Sequence, residues 1–194
     1  ALLFADIATD SIKGVIDYHK KGEPGFRDHT AKLQLRKSEQ WLRWSKAHGR
    51  MEGQGDFIRF IEENAIDIVV PDGADLLEMV RDVQALKRVN FASNVELTSG
   101  DVVFRYEEET QTQSKTKSGQ IELPKKFELS IPVYFGGKNE LVTAFLRYRL
   151  TDGSLSLAIE LHRPEYVRQR AFEVIAEEVE FETGQRVIYG ADTI

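Results

Sequence analysis

The segment Leu141-Val-Thr-Ala-Phe-Leu-Arg-Tyr-Arg-Leu150, Thr151-Asp-Gly-Ser154, Leu155-Ser-Leu-Ala-Ile-Glu-Leu-His162 decides the fold class. Asp152-Gly153 separates two runs of β-forming residues, and a two-residue type I′ turn needs positive φ at both central positions, which Asp-Gly supplies. Such a turn sets the pairing: Leu150 opposite Leu155, Tyr148 opposite Leu157, Leu146 opposite Ile159 and Ala144 opposite Leu161. One face of this hairpin is then wholly apolar. The other carries Arg149 by Ser156, Arg147 by Ala158, Phe145 by Glu160 and Thr143 by His162. A slip of one residue would turn the whole apolar set outward, so the register is strongly specified.

Outward from the hairpin, Val95–Leu97, Val102–Glu107, Ile121–Leu123 and Phe127–Phe135 continue the strand pattern, with Gly136-Gly137 marking a reversal. The polar stretch 108–119 reads as a mobile loop or hairpin tip. Nearer the N-terminus, residues 2–7 and 12–19 read as strands joined around Ala8-Thr9-Asp10-Ser11, and Ala31, Leu33 and Leu35 alternate with polar residues as a half-buried strand does. Four helices are predicted. Ser38 caps one that runs through His48 to Gly49; a second begins near Asp56 and carries Phe57, Phe60, Ile61 and Ala65. Asp72 or Asp75 caps a third, with Leu76, Met79, Val80, Val83 and Leu86 on one stripe. The fourth starts at Pro164 and Glu165, uses Val167, Ala171, Val174, Ile175 and Phe181 as its apolar positions, and ends at Gly184 before an edge strand at 186–189. Grouped strands with helices between them indicate an α+β fold: a mainly antiparallel sheet with four helices inserted or packed on one face.

A chain of 194 residues with 41% hydrophobic and 30% charged residues has the composition of one globular domain spanning 1–194. Its start inside strand-like sequence, with no methionine, suggests a missing N-terminal segment. The absence of cysteine excludes disulfides, thiolate metal sites and a cysteine nucleophile, and fits a reducing compartment. No apolar run approaches the roughly 20 residues of a membrane-spanning helix, so no membrane partner is expected. The net charge is −6, but Lys20–Arg50 holds nine Lys or Arg against three acids. A local basic segment on an acidic chain can steer an anionic ligand.

No phosphate-binding glycine loop, dinucleotide fingerprint, zinc-protease helix or nucleophile elbow is present, so binding is expected rather than catalysis, and no cofactor is implied. Three surfaces merit attention. Asp17, His19, Asp28 and His29 have the donor chemistry for a divalent metal and a hydrolase, against the plainer reading of a solvated strand end. Arg36, Lys37, Trp41, Arg43, Trp44 and Lys46 interleave cations with rings, as nucleic-acid-binding helices do, although tryptophans at helical spacing also serve as core anchors. Arg147, Arg149, Glu160 and His162 form a ligand-binding candidate on the polar hairpin face, where Glu177, Glu178 or Glu180 could instead neutralise the arginines.

The runs Val15-Ile-Asp-Tyr-His19, Asp28-His-Thr-Ala-Lys-Leu33, Trp41-Leu-Arg-Trp44, Phe57-Ile-Arg-Phe-Ile-Glu62, Phe127-Glu-Leu-Ser-Ile-Pro-Val133 and Leu146-Arg-Tyr-Arg-Leu150 occur in this order. Together they resemble the phage and prophage proteins called YfdQ-like, a domain of unknown function, over essentially the whole chain. The resemblance implies a phage- or prophage-encoded accessory role in the bacterial host cytoplasm, and it brings no catalytic residues to carry over. The expectation is therefore a cytoplasmic accessory protein that binds and self-assembles as a homo-oligomer. A nucleic-acid or nucleotide binder for recombination or counter-defence, and a metal-dependent hydrolase, are the alternatives.

Overall fold

The computed structural model describes residues 1–85, 90–96, 102–109, 116–151 and 154–192. The fold is α+β, with four α-helices and mostly antiparallel sheets among the described residues. The chain divides into two compact units. The first comprises Ala1–Trp41, Pro132–Glu140 and Arg163–Ile194, and the second comprises Leu42–Ile131 and Leu141–His162.

The first unit is built on a four-stranded sheet of order β12-β1-β2-β3, where β1 is Leu2–Asp6, β2 is Ser11–Val15, β3 is Thr30–Gln34 and β12 is Val187–Tyr189. The β1–β2 turn is fixed by Asp6, whose carboxylate accepts the Ala8 N–H at 2.9 Å and the Thr9 hydroxyl at 2.7 Å. This local bonding is why the Ala8–Ser11 stretch turns. Pairing of Leu3 with Gly14 and of Ala5 with Ile12 puts Leu3, Ala5 and Ile12 on one buried face. Val187, opposite Leu3 in the parallel β1–β12 pair, extends that face.

Two expectations for this region need correction. The second strand ends at Val15 rather than running to residue 19, because the Asp17 carboxylate takes the backbone N–H groups of Asp28 and His29 and folds residues 16–29 into a loop. The third strand, at the sheet's outer edge, is exposed along all five residues rather than half-buried, so neither of its faces is covered.

Helix α4 (Pro164–Thr183) lies beside β12 and buries Val167, Ala171, Phe172 and Ala176. Its last turn ends as predicted at Gly184, which adopts φ 63° and donates its N–H to the Glu180 carbonyl. Only glycine takes that conformation without a Cβ penalty. Phe181 is 84% exposed rather than buried. At about 100° per residue it lies roughly 120° around the helix from Ile175, off the arc that Ala171, Phe172 and Ala176 define.

Helix α1 (Glu39–Ala47) begins where predicted, with the Trp41 N–H donating to the Ser38 hydroxyl at 3.0 Å. The second unit continues from this helix through β4 (Glu52–Gly53), α2 (Gln54–Asn64), a 3₁₀ turn (Ala65–Asp67), β5 (Ile68–Val70) and α3 (Gly73–Ala85). Along α2, Phe57 and Ile61 are buried whereas Phe60 and Ala65 are half-buried; along α3, Leu76 and Val80 are buried. The side chains of Val83 and Leu86 lie outside the described residues. Strands β6 (Asn90–Glu96), β7 (Val102–Glu109) and β8 (Thr116–Leu123) form an antiparallel sheet. Pairing of β7 with β8 extends to Glu109↔Thr116, so residues 108–109 and 116–119 of the polar stretch are in strands. Residues 110–115 lie outside the described residues.

The larger sheet has the order β4-β11-β10-β9-β5, where β9 is Lys126–Pro132, β10 is Asn139–Thr151 and β11 is Ser154–Leu161. The β10–β11 register is the one read from the sequence, from Ala144↔Leu161 to Leu150↔Leu155 and Thr151↔Ser154. Asp152 and Gly153 themselves lie outside the described residues. Phe127, Leu129, Ile131, Val142, Ala144, Leu157, Ile159 and Leu161 are buried on the apolar side. No helix among the described residues is long and apolar enough to cross a membrane.

Candidate ligand-binding groove

Three of the four predicted metal donors, Asp17, His19 and His29, are engaged within the loop that holds them, and Asp28 contributes its backbone N–H. Asp17 accepts the Asp28 N–H at 2.9 Å and the His29 N–H at 3.0 Å, and the His29 imidazole stands 3.5 Å from it. These contacts, the His29 N–H foremost, lower the Asp17 carboxyl to about 2. His19 Nδ1 accepts the Gly25 N–H at 2.8 Å. Gly25 is required there, because a Cβ would stand 1.9 Å from the Asp17 carbonyl oxygen. With β2 ended, no strand aligns Asp17 with His19. Among the described residues, no group of three or more carboxylate, imidazole or thiol side chains could hold a metal ion.

The six residues proposed for nucleic acid separate into three kinds. Trp41 and Trp44 are buried, and the Trp44 indole N–H donates to Asp67 Oδ2 at 2.7 Å. Neither ring offers a face to a base; both are core anchors. Arg36 and Lys37 are engaged locally, Arg36 over the Phe135 ring at 5.3 Å and Lys37 over the Tyr134 ring at 4.1 Å. Arg43 and Lys46 remain exposed, and neither has an ion-pair partner among the described residues.

Helical spacing explains what Arg43 and Lys46 do next. Residues 43, 46 and 47 lie at i, i+3 and i+4 of α1, and the chain beyond Gly49 brings Arg50 alongside. From α2, Phe60, Glu63 and Asn64 repeat the same spacing. The two stripes and Glu52 line a groove of about 260 Å³. Its three cations face two acids. Arg50 reaches Glu52 at 3.4 Å, and Lys46 also offsets the negative end of α1 in its last turn. The floor of the groove is unusual. Phe60 is half-buried and meets Trp44 edge-to-face at 5.0 Å and 85°. Asn64 is 1% exposed, its amide N–H donates to the Phe60 carbonyl at 2.7 Å, and its Oδ1 has no hydrogen-bond partner among the described residues. Sequence reading identifies Arg43 and Lys46 but not Arg50 or Asn64, and it places Phe60 on the core stripe of α2.

On the polar face of β10 and β11, Arg147 pairs with Glu160 from the same face, and its guanidinium lies 5.2 Å from the Phe145 ring centroid. The Arg147 contact holds Glu160 below the ordinary carboxylate range. His162 stacks edge-on against Phe145 at 5.5 Å. Of the three α4 acids considered as partners, two are used elsewhere: Glu178 pairs with Lys138 at 2.5 Å, and Glu180 accepts the Val187 N–H at 2.7 Å. Arg149 is exposed and has no ion-pair partner among the described residues. Ser156, beside Arg149, faces Gly53 of β4, whereas Glu52 faces Leu157 of the buried side. The arginine face and the groove thus occupy opposite sides of the sheet.

One polar cluster escaped sequence reading because its members are far apart in the chain. Asp10, in a left-handed conformation at φ 50°, accepts Lys37 at 2.8 Å, the Tyr134 hydroxyl at 2.6 Å and Arg168 at 3.0 Å. Arg168 also donates to the Ile7 carbonyl. Burial pushes the Asp10 carboxyl up, but the three donors outweigh it and hold it below its usual range. Burial dominates at Lys37 and Tyr134, lowering the former and raising the latter. Lys37, Tyr134 and Arg168 all converge on one carboxylate, which makes the cluster a tie between the β1–β2 turn, the residue before the Ser38 cap, the segment after β9 and α4.

No curated protein and no solved structure matches the chain. One family does, from the first residue almost to the last, matching residues 1–191: the chain belongs to the family described as Uncharacterized conserved protein (DUF2303).

Proposed function

We propose that this chain is a phage- or prophage-encoded accessory protein that acts by binding in the host cytoplasm, and that its ligand is a nucleic acid or nucleotide gripped at the α1–α2 groove. The observation that carries the reading is the convergence of Arg43, Lys46 and Arg50 on one groove, with two of the three cations lacking an ion-pair partner among the described residues. Cations left uncompensated on a chain of net charge −6 are suited to phosphate, whose binding releases counterions and gains strength at low salt. The phage assignment rests on the YfdQ-like resemblance alone.

The test is fluorescence anisotropy with labelled single-stranded DNA between about 50 and 200 mM salt. Binding is expected at the lower salt. Replacing Arg43→Glu and Lys46→Glu together should weaken it at least about tenfold and flatten the salt dependence by roughly 0.7 per lost phosphate contact. No binding at low salt, or binding indifferent to both reversals, refutes the proposal.

Self-association is a second reading, favoured by the β3 edge, which pairs on one side only and exposes all five residues. An edge strand is a template for another strand, although Lys32 at its centre would face its own copy in an antiparallel pair. Light scattering at micromolar concentration decides it, a monomer mass rejecting the oligomer.

A further inference from the structure

We infer that the open edge of β3 takes up an extended acidic segment of a partner protein as an added antiparallel strand, with an acidic side chain opposite Lys32 and an apolar one beside Leu33. The inference goes beyond the nucleic-acid reading and uses a different part of the chain.

Hydrogen-bond alternation identifies the groups that this edge offers. Toward β2, the Leu35 N–H donates to the Asp10 carbonyl at 2.9 Å, and the His29 carbonyl accepts the Ile16 N–H at 2.9 Å. The backbone groups that face β2 therefore belong to odd-numbered residues, and those of Thr30, Lys32 and Gln34 point away from it. Strand β3 pairs with β2 alone, so these outward N–H and C=O groups have no partner among the described residues.

Just beyond β3, the same side of the chain already holds a strand. Residues 36–38 pair antiparallel with residues 133–135: the Phe135 N–H donates to the Arg36 carbonyl at 2.8 Å, and the Ser38 N–H donates to the Val133 carbonyl at 3.0 Å. The partner then turns away at Gly136, with φ 75°, and the Gly137 N–H closes that turn on the Tyr134 carbonyl at 3.0 Å. The open stretch of β3 thus continues a ladder that the chain itself begins. An incoming strand that starts opposite Gln34 and ends opposite Thr30 lies in line with residues 133–135, as in strand addition to a sheet edge.

Charge and side-chain alternation set the occupant. From His29 to Ser38 the chain carries Lys32, Arg36 and Lys37 and no acid. Lys37 is spent on Asp10, whereas Lys32 and Arg36 are exposed and have no ion-pair partner among the described residues. A second copy laid antiparallel brings these cations against each other, and like charges facing across a ladder are unfavourable. An acidic segment turns the same contact into attraction. On the other face, Leu33 lies opposite the buried Ile12 yet is 44% exposed, so an apolar side chain beside it extends the covered surface. Single-stranded nucleic acid brings charge for Lys32 but no row of alternating donors and acceptors for the edge.

The experiment follows amide exchange of the full chain by NMR as a short peptide alternating valine with glutamate is added. One peptide alternating valine with lysine and one with proline in place of valine are the controls. The glutamate peptide should bind saturably and slow exchange at Thr30, Lys32 and Gln34, while Ala31 and Leu33, already bonded to β2, stay as they were. Both controls should leave all of these amides unaffected. Lys32→Glu, at an exposed position, should keep the folded amide spectrum and weaken the glutamate peptide about fivefold. Arg43→Glu with Lys46→Glu should leave peptide binding unchanged, so failure of the nucleic-acid reading does not touch this one. Absence of saturable binding, or binding without slowed exchange at the three outward amides, overturns the inference. Slowing of those amides by single-stranded DNA, or by raising the concentration of the free chain, also overturns it and assigns the edge to nucleic acid or to a second copy.

Discussion

Replacing Trp44→Phe tests whether the tryptophans of α1 are structural. Trp44 has no exposed surface, packs against Phe60 and Phe127 at 5.0 and 6.0 Å, and gives its indole N–H to Asp67 at 2.7 Å. Shrinking indole to phenyl removes buried area and leaves a partial cavity, a loss of roughly 1–1.5 kcal/mol. The larger effect falls on Asp67, which is 6% exposed and accepts the indole N–H. A buried carboxylate deprived of such a donor costs about 2–3 kcal/mol more. The variant should therefore lose about 4 kcal/mol, read as a lower urea midpoint in far-ultraviolet circular dichroism at unchanged slope. Asp67→Asn in the Trp44→Phe background should recover about 1 kcal/mol, because an unpaired amide is less costly to bury than an unpaired charge. A loss below about 1.5 kcal/mol, or no recovery in the double variant, would refute the assignment of Trp44 as an anchor for Asp67.

Asp10→Asn should destabilise the first unit by about 1–2 kcal/mol, a value discounted for the partial exposure of the cluster, by leaving Lys37 and Arg168 without their shared counter-charge. Because its folded carboxyl titrates below the unfolded one, Asp10 stabilises above about pH 3.8 and loses that contribution as pH falls through the folded value; the variant's acid-unfolding curve should lack this component. The same sign holds for Asp17, whose contribution is present above about 3.8 and lost as pH falls through about 2, so Asp17→Asn should flatten stability in that window. A wild-type acid slope in either variant contradicts the corresponding tie. Replacing His19 and His29 with alanine should leave metal content by elemental analysis unchanged, since His19 accepts a loop N–H and His29 stands on Asp17; a stoichiometric metal lost with the histidines would reinstate the hydrolase alternative.

The sequence spoke most clearly where a short-range rule and a burial pattern coincide. At Asp152-Gly153 a turn type and two alternating strands specify one register, and the pairing from Ala144↔Leu161 to Leu150↔Leu155 follows. Ser38 and Gly184 work the same way at helix ends. Reading weakened where geometry depends on distant residues. The end of β2 at Val15 is set by Asp28 and His29, and the short strands β4 and β5 exist only by pairing with β11 and β9. Phe181 shows the limit of periodicity: an apolar residue near the helical stripe stays in solvent when its angle misses the buried arc. The groove was half legible for a related reason. Arg43 and Lys46 advertise charge in the sequence, whereas Arg50 and Asn64 gain meaning only when α2 is laid beside α1.

The parallel pairing of Leu3 with Val187 carries a consequence for biosynthesis. β1 leaves the ribosome before the whole of the second unit and must wait for β12, which is translated after it. Until then the nascent hairpin of β1 and β2 offers an open flank to chaperones and to neighbouring polysomal chains. Emergence of β12, rather than of β1 and β2, is the moment at which that flank can close.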